Sequence, residues 1–326
     1  MNLLPPARRH LISIGDLDRA GIERILETAE GFESVMRRDL KKVPTLRGRT
    51  VVNVFYESST RTSSSFELAA KRLSADTVAL RASGSSTEKG ESLKDTIQTI
   101  SAYAPDVIVI RHPLVGAPAI AARHTDAHVV NAGDGTHQHP TQCLLDLHTI
   151  RRARGTVEGL HVAIVGDIMH SRVARSNIIG FRTMGARVTL VGPPALIPRG
   201  IEALGVEVSH EIGAISAADV VYVLRMQRER MQEGANYVPS LREYAALWGV
   251  TAARVRPDQM VMHPGPVNRG VEISSEVADS ASSRIVDQVR AGLVVRMAVL
   301  YDLLTDPTGH DARGALRAVP AGLEVA

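Results

Sequence analysis

The feature that most constrains the fold is a series of short, continuous apolar segments separated by segments of helical length. The clearest apolar segments are Thr50–Phe55, Val107–Ile110, His128–Val130, His161–Val165, Arg187–Val191, Asp219–Leu224 and Gln259–Met262. Each is apolar in continuous runs rather than in alternation, which is typical of a parallel strand buried on both faces. Strands that alternate with helices predict parallel sheets covered by helices on both sides. About nine strands are too many for one core at 326 residues, so we expect two α/β domains.

Two of the intervening segments show helical patterns most clearly. One is predicted to begin near Asp16, with an apolar stripe that includes Ile22 and Ala29. The other is predicted over Pro140–Arg154, with Gly155 as its end. We interpret this second helix as the link between the domains, because no flexible linker is evident. A rigid link of this kind suits two domains that close over a cleft.

Composition excludes several classes of protein. Lys and Arg number 38 against 35 Asp and Glu, and aromatic residues make up 3%, so neither the charge nor the stacking groups of a nucleic-acid-binding protein are present. One cysteine, Cys143, cannot form an internal disulfide. The apolar segment Leu293–Leu304 contains Arg296 and is shorter than the ~18 residues of a membrane helix. Prolines and an arginine in residues 1–10 argue against a signal peptide, so we expect a cytoplasmic enzyme.

Hydroxyl groups and an arginine follow the first predicted strand. The segment Ser59–Thr62, with the sequence Ser-Thr-Arg-Thr, lies between the strand that ends at Phe55 and a helical pattern over Phe66–Leu73. Free backbone N–H groups at a helix N-terminus favour an anion, and hydroxyls and a guanidinium add directed donors. The segment therefore indicates a phosphate site. The alternative is an ordinary helix cap, which needs only one such residue.

Two further polar segments end strands of the first half. Arg111–Pro113 follows an apolar run, so Arg111 lies at a carboxyl edge, where ligands bind in open α/β sheets; a surface ion pair is the alternative. Pro140 fits the first position of a helix, which makes His139 its N-cap and places Gln142 in its first turn. These side chains suit hydrogen bonds to a carbonyl-containing substrate. A zinc site with His137 lacks supporting ligands.

The remaining polar segments have weaker signals when each is taken alone. Residues 83–92 have the composition of a mobile surface loop, in which Lys89 is most simply a solvated charge. Residues 166–172 follow a strand but lack the glycine pattern of a dinucleotide site. Arg225 also ends a strand, and residues 263–270 form a stiff Pro-Gly-Pro loop. No nucleophile, carboxylate pair or metal-binding set is evident. Together the segments indicate a cleft that binds anions and polarises an already reactive substrate.

The motifs Ser59–Thr62, Arg111–Pro113 and His139–Gln142, in this order, resemble those of the aspartate and ornithine carbamoyltransferases, and the resemblance covers nearly the whole chain. Two features favour the aspartate branch. The loop His263–Pro266 has no cysteine, whereas the ornithine branch carries one there. The segment Leu224–Arg230 resembles the loop that binds aspartate.

The resemblance implies transfer of the carbamoyl group of carbamoyl phosphate to the amino group of L-aspartate. The products would be N-carbamoyl-L-aspartate and phosphate, in de novo pyrimidine biosynthesis. It implies no cofactor and no metal, and a homotrimer with shared active sites. Assembly with a regulatory chain or another enzyme of the pathway stays open. The alternatives are a carbamoyltransferase for another amine, such as ornithine, and a two-lobed anion-binding protein without catalysis.

The resemblance also implies which residues form the site. Carbamoyl phosphate would be bound by Ser59, Thr60, Arg61, Thr62, Ser85, Lys89, Arg111, His139, Gln142, Gly265 and Pro266. Aspartate would be bound by Lys89, Arg172, Arg225 and Gln227. The catalytic residues would be Arg61, Thr62, Lys89, Arg111, His139 and Gln142. Ser85 and Lys89 would reach the neighbouring subunit's site. Two residues depart from the family pattern: Glu88 replaces a frequent lysine, and Gly265 replaces the commoner leucine.

The implied fold is two doubly wound parallel-sheet domains joined by helices, with the active site in the cleft between them. Residues 1–140 would bind carbamoyl phosphate, with a C-terminal helix over about 286–305 packed back on them. Residues 141–285 would bind aspartate. Residues 306–326 contain Pro, Gly and Arg with little pattern, and we expect a disordered tail there.

Overall fold

A computed structural model describes residues 10–81, 90–227 and 240–305 of the chain. In those ranges the strands are β1 (Thr50–Phe55), β2 (Asp76–Arg81), β3 (Val107–His112), β4 (His128–Asp134), β5 (His161–Val165), β6 (Arg187–Val191), β7 (Glu207–Ser209), β8 (Val220–Val223) and β9 (Met260–Met262). The α-helices there are α1 (Arg19–Met36), α2 (Thr60–Arg72), α3 (Leu93–Ser101), α4 (Ala117–Ala122), α5 (Pro140–Arg154), α6 (Arg172–Thr183), α7 (Leu241–Trp248), α8 (Ser275–Ala278) and α9 (Ile285–Leu304). The tail predicted over 306–326 lies outside the described residues.

The strands form two parallel sheets. One has the order β2-β1-β3-β4, and the other has the order β7-β6-β5-β8-β9. Every pair of neighbouring strands runs parallel. The predicted fold class of two parallel-sheet α/β units is therefore confirmed. In each sheet the chain order reverses once, between β1 and β3 in the first sheet and between β5 and β8 in the second. Ligands of open α/β sheets bind at the carboxyl ends of the strands beside such a reversal.

All seven strands named from the sequence are present, and two edge strands were missed. β2 is largely exposed, and its Val78 and Leu80 are 45% and 38% exposed. β7 has only three residues, none of them fully buried. Both strands lie at the edge of a sheet, where one side of the backbone has no strand partner. A search for continuous apolar runs finds strands buried on both faces, so it passes over such edges.

Each sheet is packed on both faces. Along β1, Val51 and Phe55 join one apolar core, whereas Val52 and Val54 point to the opposite face and pack with helices α3 and α4. The core that contains Val51 and Phe55 extends to one face of the second sheet, where it includes Ile164 of β5. A third core covers the other face of that sheet. The alternation of side chains along each strand thus assigns both faces to separate layers of helix.

Helix α5 lies between the two sheets and packs against α1, α6 and α9. It begins at Pro140 with His139 as its N-cap and ends at Gly155, whose φ of 81° is left-handed, as predicted. All of its residues from Pro140 to Ile150 are buried, so the helix has a buried surface all round rather than one apolar stripe. Helix α9 contacts α1, α2 and α5. The long helices therefore hold the two sheets in one arrangement.

Helix α1 begins three residues later than predicted. Its N-cap is Asp18, whose Oδ1 accepts a hydrogen bond from the Gly21 N–H (2.7 Å). Ile22 and Ala29 are buried on its inner face, as the stripe predicted. Among the described helices, none has both the length and the apolar character needed to cross a membrane.

Candidate active site

A pocket of about 520 Å³ lies where the carboxyl ends of strands from both sheets meet. Its lining residues follow β1, β4, β5, β8 and β9, or end β3, and it also reaches the first turns of α2, α5, α6 and α9. Both points of chain reversal, β1/β3 and β5/β8, therefore open on the same space. Sheet topology alone predicts a ligand site at each of these points.

The pocket gathers every residue of the predicted site that the structure describes. These residues are Ser59, Thr60, Arg61, Thr62, Arg111, His139, Gln142, Arg172, Arg225, Gln227, Gly265 and Pro266. Ser85, Glu88 and Lys89 lie outside the described residues. Residues as far apart in the sequence as Ser59 and Pro266 thus line one cavity.

The N-terminus of α2 points donors at the pocket. Ser59 is the N-cap by position, but its side chain accepts no capping hydrogen bond, and the first turn contains no acidic residue. The hydroxyl of Ser63 is occupied, since it donates to the Ser59 carbonyl (2.9 Å). Ser59 is therefore not the ordinary capping serine of the alternative interpretation. The helix end presents unpaired backbone N–H groups, a serine hydroxyl and Arg61 in the same direction.

Glu57 joins two arginines inside the pocket. Its Oε1 accepts from Arg111 Nη2 (3.0 Å), and its Oε2 accepts from Arg172 Nη2 (2.7 Å). The Arg172 side chain is only 3% exposed, and that of Arg111 is 12% exposed, so neither forms a surface ion pair. Gly133 makes this pairing possible, because a Cβ there would lie 2.5 Å from Arg172 Nη1 and 3.3 Å from Arg111 Nη1. Glu57 thus links Arg111, which lies in β3 of the first sheet, to Arg172, which begins α6 after β5 of the second sheet.

The strand end after β8 carries its own polar set. Arg225 Nη2 donates to Gln227 Oε1 (3.2 Å), and the Gln227 backbone N–H donates to Asp167 Oδ2 (3.1 Å). Asp167 is completely buried after β5, so it holds the two neighbouring strand ends together. The guanidinium of Arg225 also lies close enough to Arg61 to act on it. Burial first and then the charge of Arg225 lower the pKa of Arg61. The two halves of the pocket form one cationic field.

The loop after β9 packs directly on Arg61. Gly265 has a left-handed φ of 62°, and a Cβ at this position would collide with the Arg61 guanidinium. Its N–H donates to His263 Nδ1 (2.8 Å), and His263 Nε2 contacts Glu272 Oε1 (3.2 Å). A glycine here therefore has a steric reason as well as a conformational one. Residues His263 to Pro266 of this loop thereby line the pocket beside Arg61.

A buried carboxylate lies behind His139 and Gln142. Asp146, one turn further along α5, is completely buried and accepts from Gln142 Nε2 (3.0 Å). Burial raises the pKa of Asp146 to about 6, although the hydrogen bonds from four neighbouring side chains lower it. His139 itself is 5% exposed, and its N–H donates to Ser176 Oγ (2.8 Å). The first turn of α5 is thereby fixed from both sides.

Several pocket residues carried no recognised signal in the sequence. Arg296 lines the pocket from α9, with its guanidinium 5.1 Å from the Phe66 ring centre and Nη1 donating to the Gly292 carbonyl (3.1 Å). Burial, together with the charge of Arg111, lowers the pKa of Arg296 to about 10. In the sequence, the signal for Arg296 is a single arginine within the apolar segment Leu293–Leu304, and that signal also argues against a membrane span. For Glu57 the signal in the sequence is a single acidic residue just before the motif Ser59–Thr62, which contains Arg61.

The zinc alternative has no support in the described residues. His137 Nδ1 contacts Asp134 Oδ2 (3.0 Å), and Asp134 also accepts from backbone N–H groups. Within residues 10–81, 90–227 and 240–305 no group of three or more His, Cys, Asp or Glu side chains could hold a metal ion. His137 and His139 therefore belong to separate hydrogen-bonded sets.

Fold and site together define a two-sheet α/β protein that collects anion-binding groups in one cleft. Sequence comparison specifies the family. Residues 9–152 match the aspartate/ornithine carbamoyltransferase carbamoyl-P binding domain, and residues 158–303 match the Asp/Orn binding domain of the same family. The chain belongs to the aspartate/ornithine carbamoyltransferase family, which confirms the resemblance inferred from its motifs.

Relatives and solved structures agree with this assignment. The aspartate carbamoyltransferase catalytic subunit of Pelotomaculum thermopropionicum is 57% identical, over 91% of this chain and 96% of its own. That of Sorangium cellulosum is 56% identical, over 96% of this chain and 98% of its own. The aspartate transcarbamoylase of Trypanosoma cruzi in complex with carbamoyl phosphate and aspartate superposes with a TM-score of 0.81 at 32% identity, covering 92% of this chain and 99% of that one. The M. jannaschii catalytic subunit gives 0.80 at 35% identity, with the same coverage.

Proposed function

We infer that the chain transfers the carbamoyl group of carbamoyl phosphate to the amino group of L-aspartate, giving N-carbamoyl-L-aspartate and phosphate. One observation carries this conclusion: the anion-binding groups at the two points of chain reversal open on a single pocket. One set suits a phosphate and the other suits carboxylates. The T. cruzi enzyme of the same fold has been solved with carbamoyl phosphate and aspartate and with carbamoyl aspartate and phosphate.

The phosphate is assigned to the N-terminus of α2. A tetrahedral dianion accepts several hydrogen bonds at once, and backbone N–H groups, hydroxyls and a guanidinium supply them from different directions. Ser59, Thr60, Arg61 and Thr62 would bind its oxygens together with Arg111. Support comes from Ser59, whose side chain accepts no capping hydrogen bond, and from the close approach of Arg61 of α2 to Gly265.

Aspartate is assigned to Arg172, Arg225 and Gln227. A guanidinium binds a carboxylate through two parallel hydrogen bonds, so two arginines suit a dicarboxylate. Ornithine carries an ammonium group where aspartate has its side-chain carboxylate, and Arg225 would repel it. The field of Arg61 and Arg225 therefore favours aspartate over ornithine.

The reaction follows from the charges that develop. The neutral amine of aspartate attacks the carbamoyl carbon, a C–N bond forms, and the C–O bond to phosphate breaks from the tetrahedral intermediate. Thr62, Arg111 and His139 would donate to the oxygen that becomes negative. Arg61 would neutralise the departing phosphate, which takes the amine proton. Gln142 and the backbone carbonyls of the Gly265–Pro266 loop would accept from the carbamoyl NH₂ group. Donors fixed in place before the reaction are worth about 10²–10³ in rate each.

Several parts of the proposal concern assembly. Ser85 and Lys89 would complete the site of a neighbouring subunit in a homotrimer, and Lys89 would contact both substrates. The test is to mix an inactive Lys89→Ala chain with an inactive Arg61→Ala chain. Hybrid trimers with restored activity are expected, since some of their sites would receive both intact residues. No recovery would contradict the shared site.

The proposal also assigns each substrate to its own part of the chain. Residues 1–140, with the helix over about 286–305, would bind carbamoyl phosphate, and residues 141–285 would bind aspartate. A cytoplasmic location and a place in pyrimidine biosynthesis are proposed with it. Separate titrations of each substrate into the full chain, monitored by amide exchange, should protect the two regions in turn.

Product analysis tests the reaction itself. The purified chain is incubated with carbamoyl phosphate and, in separate samples, with aspartate, glutamate, ornithine or no amine. Phosphate and the carbamoylated product should appear in equal amounts with aspartate and stay near background with ornithine. Saturable binding of carbamoyl phosphate without release of phosphate for any amine would instead support a non-catalytic anion-binding protein.

A further inference from the structure

The carboxylate of Asp146 connects two amide side chains that line the pocket, those of Gln142 and Gln288. Its Oδ1 accepts from Gln142 Nε2 (3.0 Å) and from Gln288 Nε2 (2.8 Å). Its Oδ2 accepts from Asn177 Nδ2 (2.9 Å) and from the Tyr222 hydroxyl (2.6 Å). One oxygen therefore serves two residues that line the pocket, and the other serves two buried residues behind it.

An ionised carboxylate can only accept hydrogen bonds, so it fixes which way each amide is turned. The NH₂ group of Gln142 must face Asp146, which leaves its Oε1 for the pocket. Gln288 is turned in the same sense, and its Oε1 accepts from the His263 backbone N–H (2.9 Å). His263 begins the loop whose residues Gly265 and Pro266 line the pocket.

We propose that Asp146 is a positioning residue that makes one end of the pocket a pure acceptor surface and so selects a carbamoyl NH₂ over a methyl group of the same size. The proposal rests on the proposed function, in which that end of the pocket holds the carbamoyl nitrogen. Asp146 does not touch the substrate. It acts through the orientation of Gln142 and, by way of Gln288, through the position of the Gly265–Pro266 loop.

The cost of this arrangement supports a functional role. A fully buried carboxylate is unfavourable unless donors surround it, and Asp146 has no exposed surface. Burial raises its pKa, and the four donors only partly oppose that rise. If Asp146 only filled space, an apolar side chain of similar size would serve as well without the cost of burying a charge. On α9 the positive charge of Arg296 favours the ionised form of Asp146. On β8 the neighbouring group is the hydroxyl of Tyr222, which is neutral and donates to Oδ2.

The test compares two ligands that differ only at this end. Carbamoyl phosphate has an NH₂ group where acetyl phosphate has a methyl group, and their phosphate groups should bind alike. Dissociation constants of both are measured by calorimetry on the wild-type chain and on Asp146→Asn. Asparagine has one oxygen and one NH₂ group where the carboxylate has two acceptor oxygens, so the side chain at this position no longer dictates which way Gln142 is turned. We expect the preference for carbamoyl over acetyl phosphate to fall by about tenfold or more.

Tyr222→Phe provides the matched control. It removes a donor from Oδ2 of the same carboxylate but leaves the two contacts of Oδ1 in place. The ligand preference should stay within about twofold of the wild-type value. Equal weakening of both ligands by Asp146→Asn, or an equal shift of preference in Tyr222→Phe, would overturn the proposal, since a general loss of packing would explain either result.

A second variant keeps the proposal testable if Asp146→Asn does not fold. Gln288→Met retains volume but removes the link from Asp146 to the His263 N–H. It should lower the same preference in the same direction by a smaller factor, and an unchanged preference would count against the proposal. A wild-type chain that binds carbamoyl phosphate but does not carbamoylate aspartate would overturn the proposed function, whereas the ligand preference would still be measurable.

Discussion

The two points of chain reversal occupy equivalent places in their sheets, yet they present different chemistry. Beside β1 and β3 the donors are the N-terminus of a 13-residue helix, the hydroxyls of Ser59 to Thr62, and two arginines, Arg61 and Arg111. Beside β5 and β8 they are two arginines, Arg172 and Arg225, and an amide, with a buried carboxylate fixing the backbone. Parallel topology sets the place of binding, whereas the donors select which anion binds there.

The difference reflects the shapes of the two anions. A phosphate is tetrahedral and is best satisfied by many single donors, whereas a carboxylate is planar and is best satisfied by guanidinium forks. Glu57 is the exception to this division, because it follows β1 and binds both Arg111 and Arg172. It therefore joins the half that suits a phosphate to the half that suits carboxylates.

Arg61→Ala should have the largest effect, because it removes a donor from the part of the pocket to which the phosphate is assigned. We expect kcat/KM to fall by about a thousandfold, because the variant loses a charged donor to the leaving group. Folding should be preserved, since Arg61 lines an open pocket. Steady-state kinetics and thermal unfolding check both statements. Arg61→Lys is the control: it keeps the charge but not the fork, so it should recover only part of the activity. Substantial activity in Arg61→Ala would remove the phosphate assignment.

Arg225→Ala should break the other half selectively. The KM for aspartate is expected to rise by roughly ten- to a hundredfold, as for the loss of a hydrogen bond between charged groups. The dissociation constant of carbamoyl phosphate should change little, because Arg61, Arg111 and the N-terminus of α2, to which the phosphate is assigned, are left intact. Calorimetry with carbamoyl phosphate alone measures this constant. A comparable weakening of both substrates would show that the two halves do not bind separate anions.

Much of this organisation could be predicted from the sequence because it depends on local patterns. Buried strands show as continuous apolar runs, and the polar residues that follow each run mark its carboxyl end. The helix over Pro140–Arg154 could be predicted because Pro140 and Gly155 mark its two ends. The edge strands β2 and β7 are partly exposed, so their sequences do not stand out from those of solvent-exposed loops.

Partners that meet only through the fold left no comparable pattern. Glu57 and Arg172 are 115 positions apart, and Asp146 and Gln288 are 142 apart. The spacing of such residues carries no period, since it depends on how two sheets face each other. Arg296 is recognisable only once α9 lies beside the pocket. The motif residues could be found because the family shares them, whereas their supporting contacts required the structure.

Glu57→Gln tests whether the two halves need their bridge. Without the carboxylate, the guanidiniums of Arg111 and Arg172 have no shared counter-charge and repel each other across Gly133. We expect kcat/KM to fall by about tenfold, with kcat and the KM for aspartate both affected. Steady-state kinetics with each substrate varied will measure the change. An unchanged or higher kcat/KM would mean that Glu57 only competes with the substrates for the arginines.

Glu158→Gln should have the smallest effect on kcat/KM. It is the control for Glu57→Gln, because it removes an ion pair that lies outside the pocket. Glu158 precedes β5 and binds Arg19 of α1 (2.7 Å), and it therefore also connects the region of one sheet to that of the other. The two side chains are 62% and 45% exposed, so water screens the pair and holds neither side chain in place. We expect kcat/KM to remain within about twofold of the wild-type value in matched assays at low and high salt. A loss as large as that in Glu57→Gln would mean that any ionic contact between the two regions supports activity, and the position of Glu57 inside the pocket would no longer explain its effect.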